Sequence, residues 1–337
     1  MNICDFLRPV AVACALLATP ALLATPALAS PWAEVGDNQL RSDVELLQAS
    51  GVISDITIHW PLPWGALADE LENADLSRRP ALVRTAAMRV LARVHAATAP
   101  GIAASAAADV TNQPSIVYGF DGMGRGDGQA QLSLSGHGGA FSGRASLGLI
   151  SRNFGGKPNK LMADGSFVAL DFAGMRIYAG YLDHWWGPGE ISALQLSNFA
   201  RPMPQVGIER SSTEASSWPV LRWLGPWHFE FLLGKLDGPQ AQSNVYYNAA
   251  HLTASPLPGL ELGVAKTEQF CGQGHPCAPL RDYFQNIDFS THNNNVNGEG
   301  SFEFKYSRAL WRAPFEVHAQ MMNEDYSLAR HSATSHL

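Results

Sequence analysis

Phe167-Val168-Ala169-Leu170-Asp171-Phe172-Ala173-Gly174-Met175-Arg176-Ile177-Tyr178-Ala179 reads as two segments of strict alternation joined by a tight turn. Phe167, Ala169 and Asp171 fall on one face and Val168, Leu170 and Phe172 on the other. Beyond Ala173-Gly174, Arg176 and Tyr178 oppose Met175, Ile177 and Ala179. A period of two marks a strand with unlike faces. It recurs at 131–135, 144–149, 228–233, 260–266, 301–306 and 315–321, so the chain is mainly β. Alternation alone does not separate a soluble sandwich from a membrane barrel, because both set one strand face against an apolar phase.

Three features favour a transmembrane barrel. The residues opposite the apolar faces are strongly polar (Arg144, Arg176, His228, Glu230, Glu303, Lys305), which suits a wet lumen. Aromatic residues stand near strand ends, at Tyr181, Trp223, Trp227, Tyr306 and Trp311, where an interfacial girdle needs them. Tight turns at Ala173-Gly174 and Leu224-Gly225-Pro226 contrast with long loops at 183–205 and 267–297, the asymmetry of periplasmic turns and outer loops.

The N-terminal part has a different period. Residues 1–29 carry Arg8, an apolar run from Val10 to Leu23 and Ala27-Leu28-Ala29, the pattern of a secretory signal cleaved near Ser30. Residues 30–98 read as a helical bundle. One helix is capped by Asp37 and carries Leu40, Val44 and Leu47 up to Gly51; a second carries Trp64, Leu67, Ala68 and Leu71; a third, from Pro80, carries Val83, Ala87, Val90, Leu91 and Val94. Arg84, Arg89 and Arg93 on that third helix read as a solvated face. Ala-rich residues 99–112 are expected to be a linker, 113–326 the barrel region and 327–337 a tail without strand period.

Charged residues are only 16% of the chain, with 31 Gly and 9 Trp, which fits a secreted protein rich in strands and turns. The net charge of -7 gives no support for nucleic-acid binding. No cofactor is implied. A metal site at Cys271, Cys277 and His275 lacks visible further ligands.

The hairpin runs directly into Asp183-His184-Trp185-Trp186-Gly187-Pro188-Gly189-Glu190 and then Ser197-Asn198-Phe199-Ala200-Arg201-Pro202-Met203-Pro204. Paired tryptophans broken by Gly-Pro-Gly form a folded aromatic loop, not a helix. Such a loop has two readings: a structural corner, or a sugar site. In the second, Trp185 and Trp186 stack on sugar faces while Asp183, His184, Glu190 and Arg201 meet hydroxyls or acidic groups.

This loop, together with Leu40-Arg41-Ser42-Asp43-Val44-Glu45-Leu46-Leu47, Gly51-Val52-Ile53, Trp60-Pro61-Leu62-Pro63-Trp64, Trp223-Leu224-Gly225-Pro226-Trp227 and Gln320 to Asp325, resembles the Wzi family of capsule-assembly outer-membrane proteins. The resemblance implies a barrel of roughly 18 strands with a periplasmic helical bundle, lectin-like and not enzymatic, holding capsular polysaccharide. Its partners would then be that polysaccharide and outer-membrane lipid, and a monomer is expected. Ser115 to Met322 supplies only about 10 to 12 strands, so a truncated or frame-shifted chain with an incomplete barrel is expected. Two other functions stay open: a diffusion porin, and a glycan hydrolase using Asp183, Glu190 and Glu209.

Cys271 and Cys277 bracket a five-residue loop, short enough for a local disulfide in an oxidising compartment. Alkylation of the unreduced protein is expected to label neither thiol; quantitative labelling of both would mean free thiols or a bound metal.

Overall fold

The computed structural model describes residues 29–113, 118–122, 124–151, 161–236, 244–272, 277, 297–310, 313–327 and 332–334. The signal segment 1–28, the Asn-rich run 292–296, His275 and Trp311 lie outside them.

Three helices follow the expected stripes. Helix α1 (Asn38–Ala49) starts where Asp37 Oδ1 accepts from the Leu40 amide at 2.9 Å, and Gly51 leaves it with φ +62°. Helix α2 is Trp64–Glu72 and α3 is Ala81–Thr98. Leu40, Val44, Leu47, Trp64, Leu67, Leu71, Val83, Val90 and Val94 bury their side chains in one cluster. The arginines of α3 are only partly a solvated face. Arg89 pairs with Asp43 and Arg93 with Asp37, fastening α3 to the start of α1.

Three short strands, β1 (Trp32–Ala33), β2 (His59–Trp60) and β3 (Leu62–Pro63), lie along the N-terminal segment. The large sheet is built from β4 (Gly101–Val110), β5 (Gly128–Gly138), β6 (Phe141–Ile150), β7 (Phe167–Phe172) and β8 (Met175–Gly180). After β9 (Trp185–Trp186), which leaves the sheet to pair with β2, it continues through β10 (Gln205–Arg210), β11 (Trp227–Leu236), β12 (Val245–Leu257) and β13 (Leu260–Phe270). It ends with β14 (Asn297–Leu310), β15 (Ala313–Ser327) and β16 (Ser332–Thr334). Among the described residues the sheet has twelve strands, antiparallel neighbours in sequence order with β9 left out, with β4 and β16 at its two edges.

Two sequence expectations change. The Ala-rich stretch taken as a linker is strand β4, paired with β5 from Gly101↔His137 to Val110↔Gly128. Alanine on both faces erased the polar–apolar contrast by which alternation is recognised. In the tail, residues 332–334 pair with β15.

The sheet is amphipathic in the inverted sense. Leu132, Leu134, Leu147, Leu149, Val168, Ile177, Val206, Phe231, Phe302 and Phe304 face outward and exposed, whereas Arg144, Arg176, His228, Glu230, His251, Glu261, Glu303 and Lys305 are buried. A soluble sandwich would put the leucines inside and the charges outside; only an apolar solvent around the wall makes this arrangement favourable. Among the described residues no helix is long and apolar enough to cross a membrane, so any crossing is by strands. The hairpin turns at 139–140, 173–174 and 258–259 share one end of the sheet, the end at which α3 delivers the chain into β4. The connection 181–204 leaves β8 at the opposite, long-loop end, while 211–226, which contains the expected tight turn Leu224-Gly225-Pro226, is a long connection at the turn end.

Leu147 on β6 and Leu82 on α3 are equally open, at 60% and 63%. Leu147→Arg is expected to cost about 2–4 kcal/mol and to reduce the heat-modifiable folded band in lipid. Leu82→Arg should change stability by no more than about 0.5 kcal/mol. Equal behaviour of the two would contradict a lipid-facing wall.

Candidate functional site

The N-terminal segment lies against the polar face of the sheet and is fastened there at four places, the Glu34–Arg144 pair among them. At the first, the Trp32 indole N–H donates to Glu209 Oε1, which also accepts from Arg176 Nη1 at 3.0 Å. Arg176 lies 4.9 Å from the Trp32 ring centre and grips Asp171 with Nε and Nη2 at 2.7 and 3.0 Å. Trp32 packs edge-on against Phe167 and Tyr178. A buried Glu–Arg pair is tolerated when its remaining polar positions are filled; Trp32 fills one on Glu209 and Asp171 two on Arg176, while Glu209 Oε2 faces His228 Nε2 at 3.6 Å.

The second place lies toward the hairpin-turn end. Glu261 Oε2 accepts from the Thr57 amide at 2.6 Å and the Ile58 amide at 3.2 Å, and Glu261 also holds Gln48 of α1. Fully buried Lys305 donates to Thr57 Oγ1 at 2.7 Å and pairs with Glu316 at 3.2 Å.

The third is a chain of hydrogen bonds across the centre. Glu230 Oε1 accepts from Tyr178 Oη at 2.5 Å and His184 Nε2 at 2.9 Å, while Oε2 accepts from His59 Nε2 at 2.8 Å. His59 Nδ1 meets His251 Nδ1 at 2.7 Å, and His251 Nε2 meets Glu303 Oε2 at 3.0 Å. Gln320 Nε2 then donates to Glu303 Oε1 at 3.1 Å and to the Trp186 carbonyl at 3.0 Å. Each imidazole contact needs one proton between its atoms. Burial holds the His59 pKa down to about 4, with Glu230 opposing, so its ring is neutral. A neutral ring that donates through Nε2 must accept through Nδ1, which makes His251 Nδ1–H the donor between the two rings.

Trp185 and Trp186 belong to this interior. Both are fully buried: Trp186 lies over His59 and His251, and Trp185 meets Phe120 and the Arg41 guanidinium. Neither offers a face to solvent, contrary to the expectation of open stacking platforms. The glycines beside them serve close approach: at Gly187, φ is +136° and an added Cβ would lie 2.6 Å from the Gln320 amide. His184 is buried on Glu230 and Glu190 is exposed. Asp183 and Arg201 sit at the long-loop end, where Arg201 grips Asp164 at 2.8 and 3.0 Å and Arg125 approaches Asp183 at 3.9 Å. Arg144 likewise grips Glu34 of the N-terminal segment with two bonds of 2.6 and 2.7 Å.

Sequence reasoning missed Tyr118, Arg125 and Asp164 at this end, and His59 and His251 in the centre. Only Arg125 carried a signal, as the one cation in the Gly-rich run Gly122-Met123-Gly124-Arg125-Gly126. Cys271 and Cys277 are disulfide-bonded. Among the described residues no group of three or more His, Cys, Asp or Glu side chains could hold a metal ion.

A family model described as capsule assembly protein Wzi matches residues 98–336. An uncharacterized 55.8 kDa protein in the cps region of Klebsiella pneumoniae is 28% identical over 311 residues, 87% of this chain and 58% of that protein. A solved structure, described as Wzi, an outer membrane protein involved in group 1 capsule assembly in Escherichia coli and a carbohydrate binding beta-barrel, superposes with a TM-score of 0.73 at 23% identity. The superposition covers 88% of this chain and 64% of that one, and shows a shared fold. The chain thus spans a little under two thirds of the length of either relative.

Because the native His59 pKa lies below its ordinary value, this residue's contribution is fully present above about pH 6.5 and is lost as pH falls through about 4. The stability advantage of the parent over His59→Asn, from urea unfolding in detergent, should shrink by up to about 3 kcal/mol between pH 7 and pH 4. An advantage independent of pH would contradict the neutral-ring assignment.

Proposed function

The chain belongs to the Wzi capsule assembly family, and from that premise we propose that it is an outer-membrane barrel protein that helps hold capsular polysaccharide at the cell surface without catalysis. The observation that carries this reading is the combination of an apolar outer face with a polar inner face occupied by the protein's own N-terminal segment. A wall whose inward charges are consumed by internal partners is built to be rigid, and a rigid barrel offers its loop end as a preorganised surface.

The same observation disfavours the alternatives. A diffusion porin needs water along its lumen, whereas Glu230, His251 and Lys305 are shut from solvent beneath the N-terminal segment. A hydrolase using Glu209 would need that carboxylate beside a sugar, yet it is fully buried against Trp32 and Arg176. The glycan contacts of this reading lie among the loop-end residues, where Asp183 and Arg201 remain candidates. Trp185, Trp186 and His184 position the loop.

Capsule retained on cells and capsule shed into the medium, measured after expressing the chain in a strain lacking its own copy, test the proposal. The chain should raise the retained fraction and show no large steady conductance in planar bilayers. Trp186→Ala should cost about 3–5 kcal/mol of stability and lose retention together with folding, as expected of a buried brace. Unchanged shedding with a folded chain, or a large open channel, would contradict the reading.

A further inference from the structure

We propose that Tyr118, Arg125, Asp183, Asn198 and Phe199, at the long-loop end, frame a saccharide subsite that prefers a neutral, hydroxyl-bearing sugar residue to a uronate. The inference deepens the glycan-holding reading and rests on it.

The starting observation is a pair of unsatisfied polar atoms in neighbouring loops. Tyr118 and Asn198 are only 6% and 4% exposed, yet among the described residues Tyr118 Oη and Asn198 Oδ1 have no hydrogen-bond partner. Orphaned polar atoms beneath a surface are costly, and they persist where a ligand supplies the missing bonds. Phe199, 53% exposed, packs edge-on against Tyr118 with ring centres 6.4 Å apart. An exposed aromatic ring suits the C–H face of a sugar.

The preference follows from which donors are already committed. Arg125, lying 5.0 Å from the Tyr118 ring centre, donates to the Phe199 carbonyl at 3.0 Å and to the Asn198 carbonyl at 2.6 Å, and leans toward Asp183. Asn198 Nδ2 donates to the carbonyls of Phe120 at 3.2 Å and Asp121 at 3.3 Å. What remains open is Asn198 Oδ1, the partly exposed Asp183 carboxylate and one phenol. Two of these three only accept, so the surface calls for donors, which sugar hydroxyls are. A uronate carboxylate would meet acceptor with acceptor.

The experiment measures binding of capsular polysaccharide, purified from cells that carry the protein, to the detergent-folded full chain. The polysaccharide is used native and after chemical reduction of its carboxylates. Tyr118→Phe removes only the orphan hydroxyl. It should weaken binding of both forms about three- to tenfold and raise, not lower, the unfolding midpoint. Carboxyl reduction should change the affinity of the parent by less than about threefold. The subsite is overturned if Tyr118→Phe binds as the parent does, if it lowers stability and so reveals an internal partner, or if carboxyl reduction abolishes binding. A parent chain that binds neither form would overturn the glycan-holding reading together with the subsite, whereas parent binding with an indifferent Tyr118→Phe would overturn the subsite alone.

Discussion

Glu230 accepts hydrogen bonds from Tyr178, His184 and His59, and the rest of the architecture depends on that convergence. The three donors come from a wall strand, from the loop after β8 and from the N-terminal segment, so one carboxylate joins parts of the chain separated by 46 to 171 residues. A lone ionised carboxylate in this interior would be prohibitive; with three donors aimed at it the charge is tolerated, and removing any donor exposes the cost. That asymmetry makes the interior specific. The N-terminal segment cannot slide by a residue without taking His59 from Glu230, Trp32 from Glu209 and the Thr57 and Ile58 amides from Glu261 together.

The wall and its filling explain one another. Outward leucines and phenylalanines are stable only against lipid, and inward arginines, glutamates and histidines only against opposing polar groups. The sheet does not supply all those groups itself. Trp32, Glu34, Thr57 and His59 supply them from the N-terminal segment, at Glu209, Arg144, Glu261 and Glu230 respectively. The tryptophan pair extends the same logic to the loop end: Trp186 covers the two histidines and Trp185 fills the space beside Phe120, which fixes the path of residues 183–190.

Much of the fold was legible in the sequence because period and polarity are local properties. The stripes of α1 to α3 and the alternation of β5 to β8, β11 and β13 to β15 follow from side chains a few residues apart. Strand β4 was illegible because alanine suits either face, and β12 because Ala249, Ala250 and Ala254 dilute its pattern. At the loop end, Asp183 and Arg201 were found because they flank rare Trp and Pro motifs. Burial of the tryptophans was not readable, since whether an aromatic loop lies on the surface or under it depends on segments more than 100 residues away, His59 above all. Asn198 stands in the sequence as a plain loop amide, because its bonds to the Phe120 and Asp121 carbonyls join segments more than 70 residues apart.

The N-terminal segment docks against the inner face of the wall through the His59–Glu230 contact. A double-mutant cycle with His59→Asn, Glu230→Gln and the pair, read by urea unfolding of the detergent-folded chain at pH 7, tests it most directly. A coupling energy above about 1 kcal/mol is expected of this buried, charge-assisted hydrogen bond. Additive effects within about 0.5 kcal/mol would contradict it.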